Sequence, residues 1–141
     1  MQLRIFPLFL FIASLPIVGF GKTESHYDAS GKYIGKSITD KGIIRHYDKS
    51  GRLTSRESVT QKGSRHYDSM GRYQGYSTLS KTNERKYDRS GRYMGYSSSK
   101  GLITRHYDSL GRYIGKDIRS GMVIRHYDKH ARYQGQSKEK D

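Results

Sequence analysis

The stretch that decides the fold is Arg105-His106-Tyr107-Asp108-Ser109-Leu110-Gly111-Arg112-Tyr113-Ile114-Gly115. Its pattern, His-Tyr-Asp-x-x-Gly-Arg-Tyr-x-Gly, restarts every 20 residues, at 26, 46, 66, 86, 106 and 126. Five units are complete and the sixth stops at Asp141, so residues 26–141 contain little else. A fixed period of this length marks a repeat architecture, in which each unit is one supersecondary element completed by its neighbours.

Asp-x-x-Gly is the signature of a type I turn: the Asp side chain accepts from the backbone two residues on, and Gly takes the positive φ at the last corner. Between alternating strands this becomes a hairpin with a Gly bulge. Asp108 and Gly111 fill these corners in the fifth unit, and Ala131 replaces Gly in the last, where a frayed hairpin is expected. Such a turn is expected to set Asp108 against Arg112, Tyr107 against Tyr113, His106 against Ile114 and Arg105 against Gly115. Alternation along a strand then collects Tyr107, Tyr113, Arg105 and Gly115 on one face, with Gly leaving room for the larger side chains. The other face carries His, the Asp–Arg pair and a mixed set, Ile34, Thr54, Gln74, Met94, Ile114 and Gln134. Cross-strand aromatic pairs contribute on the order of 0.2–1 kcal/mol each, so Tyr107, Asp108, Gly111, Arg112 and Tyr113 read as scaffold.

The connections between units are unalike: Thr39-Asp40-Lys41-Gly42, Gln61-Lys62-Gly63, Ser80-Lys81-Thr82-Asn83, Ser99-Lys100-Gly101 and Arg119-Ser120-Gly121. One edge of the assembly is therefore uniform and the other variable, and variable loops on a rigid scaffold are where specificity resides. Lys81, Lys100 and Arg119 are the cations expected to meet a partner there. Helix is disfavoured, because no segment after residue 22 repeats apolar residues at helical spacing and Gly recurs too often. The expected fold is all-β: tandem 20-residue hairpins in an elongated antiparallel meander of about twelve short strands, with a β-solenoid as the alternative.

Residues 1–21 differ from the rest. Arg4 precedes an apolar run from Ile5 to Phe20, and Gly19-Phe20-Gly21 places small residues before Lys22. This is the pattern of a signal peptide cleaved near Gly21, leaving a single repeat domain over 22–141 and predicting export to a bacterial periplasm or beyond. The run is short for the ~20 residues of a spanning helix. There are no cysteines, which excludes disulfides and thiolate metal sites. Lys and Arg outnumber Asp and Glu by 27 to 13, a net +14; without Arg4 the balance is 26 − 13 = +13. Such a charge favours acidic partners and says nothing about fold.

The residues Arg45-His46-Tyr47-Asp48-Lys49-Ser50-Gly51-Arg52-Leu53-Thr54 resemble the core of a YD repeat, the ~20-residue hairpin unit of Rhs and teneurin proteins. The resemblance spans 26–141 and implies hairpins joined edge to edge in a curling sheet. In large members that sheet forms a shell around a toxin or supports adhesion. This chain is small, carries His before Tyr-Asp, has no toxin domain, and has too few units to close a shell. A weaker similarity, through Tyr-x-Gly, is to MORN-type hairpins. Neither supplies a catalytic residue.

His26, His46, His66, His106 and His126 form a column interrupted by Lys86. In a meander, equivalent residues lie two strands, hence ~10 Å, apart, too far to share one zinc at ~2.0–2.1 Å; a solenoid would halve that spacing. The column also offers a pH response near ~6.5, though packing on the mixed face is the plainer role. Repetition of Ser, His and Asp at one spacing marks scaffold, and Glu24, Glu57, Glu84 and Glu139 form no pair suited to acid–base chemistry, so no enzyme, cofactor or metal is expected. Tyr76 and Tyr96 follow glycines in only two units and are expected on the face opposite the Tyr pairs, which makes them the candidates for contact. The sequence thus predicts a non-catalytic module for an acidic protein or polyanionic glycan, with nucleic acid less favoured. The alternative is a surface or matrix protein that assembles through open sheet edges.

Overall fold

The computed structural model describes residues 21–140. The leader expected over 1–21 therefore lies outside the described residues, apart from Gly21. Twelve strands follow in order: β1 Lys22–Asp28, β2 Tyr33–Asp40, β3 Ile43–Asp48, β4 Leu53–Thr60, β5 Gly63–Asp68, β6 Tyr73–Ser80, β7 Asn83–Asp88, β8 Tyr93–Lys100, β9 Ile103–Asp108, β10 Tyr113–Ser120, β11 Val123–Asp128 and β12 Tyr133–Lys140. Each pairs antiparallel with its chain neighbours, and no helix occurs among the described residues.

The Asp-x-x-Gly turns form as the residues dictate. In the fifth unit, the N–H groups of Leu110 and Arg112 both donate to Asp108 Oδ1 at 2.9 Å. The Gly111 N–H donates to the Asp108 carbonyl at 3.0 Å, with Gly111 at φ 76. The final hairpin is not frayed, contrary to expectation. Ala131 adopts φ 62 and its N–H reaches the Asp128 carbonyl at 3.0 Å. Pairing of β12 on both sides, with β11 and β1, holds it there at the cost of some backbone strain.

The register past the Tyr pair differs from the sequence expectation. Tyr107 faces Tyr113, but His106 faces Gly115 and Arg105 faces Lys116, because Ile114 is bulged out of the ladder and is exposed. The same bulge forms in the second unit, where Ser55 stands at the equivalent place, so glycine does not cause it. At Gly115 itself a Cβ would lie 2.4 Å from the Tyr127 carbonyl oxygen, which reserves that position for glycine. The glycine is buried on the inner side and makes no room for Arg105 on the outer one.

The meander is neither elongated nor a solenoid: β1 pairs with β12, with Thr23 opposite Lys140 and Asp28 opposite Gly135, and the sheet closes into a barrel. Six hairpins are therefore enough for closure. Following direct partners, Glu24 meets Ser37, Ser37 meets His46, His46 meets Ser55, and Ser55 meets Asp68. Glu24, His46 and Asp68 occupy successive even positions of three consecutive units, so each hairpin advances the register by two residues. Six hairpins accumulate twelve, and this stagger with the native twist curls the sheet onto itself.

A circular barrel of twelve strands ~4.8 Å apart and tilted ~35–45° would be roughly 20–25 Å across. Facing walls would stand well beyond the ~10 Å of packed sheets. Accordingly there is little apolar core: Ile124 is the one buried hydrophobic side chain among the described residues. The ladder hydrogen bonds, an aromatic girdle outside and a polar belt inside hold the molecule together.

Candidate binding surface and interior belt

The barrel has two unlike rims. Turns 28–32, 48–52, 68–72, 88–92, 108–112 and 128–132 form one, and the variable connections with the start of β1 and the end of β12 form the other. Lys81, at φ 52 in the β6–β7 turn, and Lys100, at the end of β8, are exposed on the variable rim as expected. Arg119 is not presented there. It lies on the inner side of β10, where its Nη1 donates to Glu139 Oε1 at 3.0 Å beside Lys22 Nζ at 2.8 Å. On the uniform rim, Arg72, Arg92, Arg112 and Arg132 pair with the Asp four residues earlier at 2.7–2.9 Å. These side chains are largely solvated, so each pair adds little stability.

All thirteen tyrosines of the chain lie within the described strands. Within hairpins the rings meet edge to face: Tyr27–Tyr33, Tyr67–Tyr73, Tyr107–Tyr113 and Tyr127–Tyr133 have centroids 5.9–6.0 Å apart. Tyr76 and Tyr96 share this outer face, which corrects the expectation of an opposite one. Tyr76 stacks on Tyr87 at 4.7 Å and Tyr96 on Tyr107 at 4.5 Å, because each stands directly opposite that ring across the hairpin junction. The bulge explains the miscount: it inserts a residue before the glycine and returns residues 76 and 96 to the Tyr side. In other units the same position carries a cation over the next ring, with Lys36 at 5.8 Å from Tyr47, Arg56 at 5.1 Å from Tyr67 and Lys116 at 5.8 Å from Tyr127. Lys138 covers Tyr27 at 5.4 Å and completes the girdle.

Charge is segregated across the wall. Arg45, Arg65, Arg85, Arg105 and Arg125 are exposed two residues before the unit's first Tyr and share its outward side. With Lys36, Arg56, Lys116 and Lys138 they form a cationic outer belt. Of the acidic residues within the strands, Glu24, Glu57, Glu84, Asp117 and Glu139 alternate onto the inner side, Asp28, Asp48, Asp68, Asp88, Asp108 and Asp128 end their strands at the uniform rim, and Asp40 closes β2 at the variable rim. None of the belt cations enters an ion pair among the described residues.

Inside, the histidines do not stand as an isolated column. Strands between them supply a second set at residues 37, 57, 77, 97, 117 and 137, reading Ser, Glu, Ser, Ser, Asp, Ser. His26 bonds Ser137 at 2.9 Å and Ser37 at 2.7 Å, and Ser37 bonds His46 at 2.8 Å. Glu57 lies between His46, at 2.9 Å, and His66, at 3.4 Å. Across the barrel sequence, Ser97 bonds His106 at 2.8 Å, and Asp117 lies between His106 and His126 at 2.9 and 2.7 Å. His126 Nε2 and the Ser137 hydroxyl form the next link at 3.0 Å, and Lys86 takes the remaining position opposite Ser77. Burial raises Glu57 and Asp117, but the hydrogen bonds and charges of their two histidines outweigh it and leave both at about 2. Burial, with the charges of His46 and His126, lowers His26 to about 4. Glu24 is raised by burial. Sequence reasoning missed this belt, although Ser-Glu-Ser repeated as Ser-Asp-Ser at 20-residue spacing was its signal. No group of three or more His, Asp and Glu residues is arranged to hold a metal among the described residues.

The fold and site define a small twelve-stranded antiparallel barrel with a basic, tyrosine-lined exterior and a polar interior. No family model, curated protein or solved structure matches the chain.

Proposed function

We propose that this chain is a non-catalytic, exported binding module of the bacterial envelope. Its outer wall takes an acidic partner, either a polyanionic glycan or an acidic protein such as a toxin to be neutralised. The observation that carries this reading is the charge segregation: nine outward cations ring the barrel while the acidic side chains of the strands turn inward or sit at the rims. Unscreened cations of one sign raise the local concentration of anions and speed their capture. The wall is ill suited to lipid, since strands of six to eight residues fall short of the ~9–11 needed and an outward Arg or Lys costs about 2–4 kcal/mol at mid-bilayer. Nucleic acid is less favoured, because Tyr76, Tyr87, Tyr96 and Tyr107 stack on one another and leave less ring face for bases. Closure of β1 on β12 removes the open edges on which assembly through the sheet would rest. The Tyr-Asp-x-x-Gly-Arg core makes a YD-type origin for the hairpins part of the same proposal. Titration of the purified protein with heparin and with polyglutamate tests the reading: log affinity should fall linearly with log salt, by the counterion release known for nucleic acids. A salt-independent affinity, or none at low salt, would overturn it.

A further inference from the structure

We propose that a hollow in the outer wall between β3, β4 and β5 seats one acidic sugar of a linear polyanionic glycan, with Arg56 and Arg45 holding its carboxylate or sulfate. This rests on the reading of the wall as a face for acidic partners and names the partner's class. The hollow has a volume of about 220 Å³ and is lined by Ile43, Arg56, Glu57, Ser58 and Tyr67. That is below the ~300–1,000 Å³ of pockets for drug-sized ligands, and suits a single ring. It lies where the repeat is broken: the second unit has Leu53 for the second Tyr, Ser55 for the close-approach glycine, and Arg56 at the position of Tyr76 and Tyr96.

Arg45 and Arg56 stand directly opposite each other across β3 and β4. Like charges so placed are destabilising, and among the described residues neither has an acidic partner within ion-pair distance. Arg56 lies over Tyr67 with its charge 5.1 Å from the ring centroid. An oxyanion set between the two guanidinium groups would receive charge-assisted hydrogen bonds and relieve their repulsion. The Ser58 hydroxyl adds a neutral donor, and Ile43 and Tyr67 offer apolar surface to a sugar's C–H face. The one acidic residue of the lining, Glu57, directs its carboxylate to His46 and His66, so it does not compete for the cations.

Beyond the hollow, Arg65, Arg85, Arg105 and Arg125 repeat the position of Arg45 at every second strand, a backbone spacing of ~10 Å. A chain with evenly spaced charges meets them in turn, whereas a folded acidic protein presents its charges unevenly. A second like-charge pair, Arg105 opposite Lys116, lies three units further on.

The test is calorimetry with a heparin-derived hexasaccharide and with polyglutamate, on the parent, Arg56→Gln, Arg45→Gln and Arg85→Gln. Arg85→Gln removes the same charge from the same belt, away from the hollow. Loss of charged hydrogen bonds should weaken hexasaccharide binding about tenfold in Arg56→Gln and Arg45→Gln, and much less in Arg85→Gln. Arg45→Gln should melt no lower than the parent, since it removes a like-charge contact. Arg56→Gln removes the same contact but also its seat over Tyr67, so it should melt within a few degrees of the parent. Equal losses in all three would overturn the seat and leave the diffuse basic wall standing. Tight binding of polyglutamate without the hexasaccharide would overturn the glycan and point to an acidic protein. Failure of both anions at low salt would overturn the underlying reading of the wall.

Discussion

At Gly75 a Cβ would sit 2.2 Å from the Tyr87 carbonyl oxygen, whereas at Gly91 it would meet nothing within 4 Å. Both have positive φ, 140 and 80, so Ala at either is strained. Only at Gly75 does it also collide with the backbone of the neighbouring strand. Gly91→Ala should therefore cost about 1 kcal/mol, and Gly75→Ala about 3 kcal/mol or more, read from denaturant midpoints. The same melts should show Tyr76→Ala and Tyr96→Ala destabilised by about 1 kcal/mol each, with Tyr107→Ala worse because it also loses its edge contact to Tyr113. Equal losses at the two glycines, or a parent-like midpoint for Tyr76→Ala, would overturn these assignments.

The strand that joins one His to the next decides how the interior responds to acid. His26 lies between two serines that serve a neutral ring well, and its pKa of about 4 lies below the ordinary 6.5. Below 6.5 the unfolded chain binds a proton that the folded one refuses, so stability falls as pH drops from 6.5 toward 4, by up to about 3 kcal/mol. Glu57 and Asp117 act over a lower window. Their folded values of about 2 lie below 4.5 and 3.8, so the stability they supply is present above those values and is lost as pH falls toward 2. Thermal melts across pH should therefore show two descending limbs. His26→Gln should flatten the upper limb and keep the lower, and Glu57→Gln should blunt the lower. An unchanged upper slope in His26→Gln would remove His26 from this account.

At the scale of the whole barrel, closure replaces an apolar core as the organising event. Every strand has two paired neighbours, so no edge invites further pairing. Removing residues 121–141 would delete β11 and β12 and expose β1 and β10 along their full lengths. Light scattering after size exclusion should find the intact protein monomeric over a wide concentration range, and the truncated one growing into larger species with concentration. A truncated protein that stays monomeric and folded would show that closure is not what suppresses assembly.

The sequence by itself determined the unit. Asp108, Gly111 and the Tyr pair specify a turn, a strand length and a partner through interactions spanning a few residues, and these are readable one repeat at a time. It could not determine which way the residues after the bulge point, because Gly115 is explained only by the Tyr127 carbonyl of the following hairpin. That one-residue insertion moved Tyr76 and Tyr96 onto the girdle and turned Arg119 toward Glu139. Only the tertiary structure decided that six hairpins close. Closure depends on a stagger of two residues summed over all of them and on β1 meeting β12 more than a hundred residues away, and no local pattern encodes a sum. Closure also extends the inner belt: its other links described above join neighbouring strands of the meander, and His26 on β1 reaches Ser137 on β12 because those two strands pair.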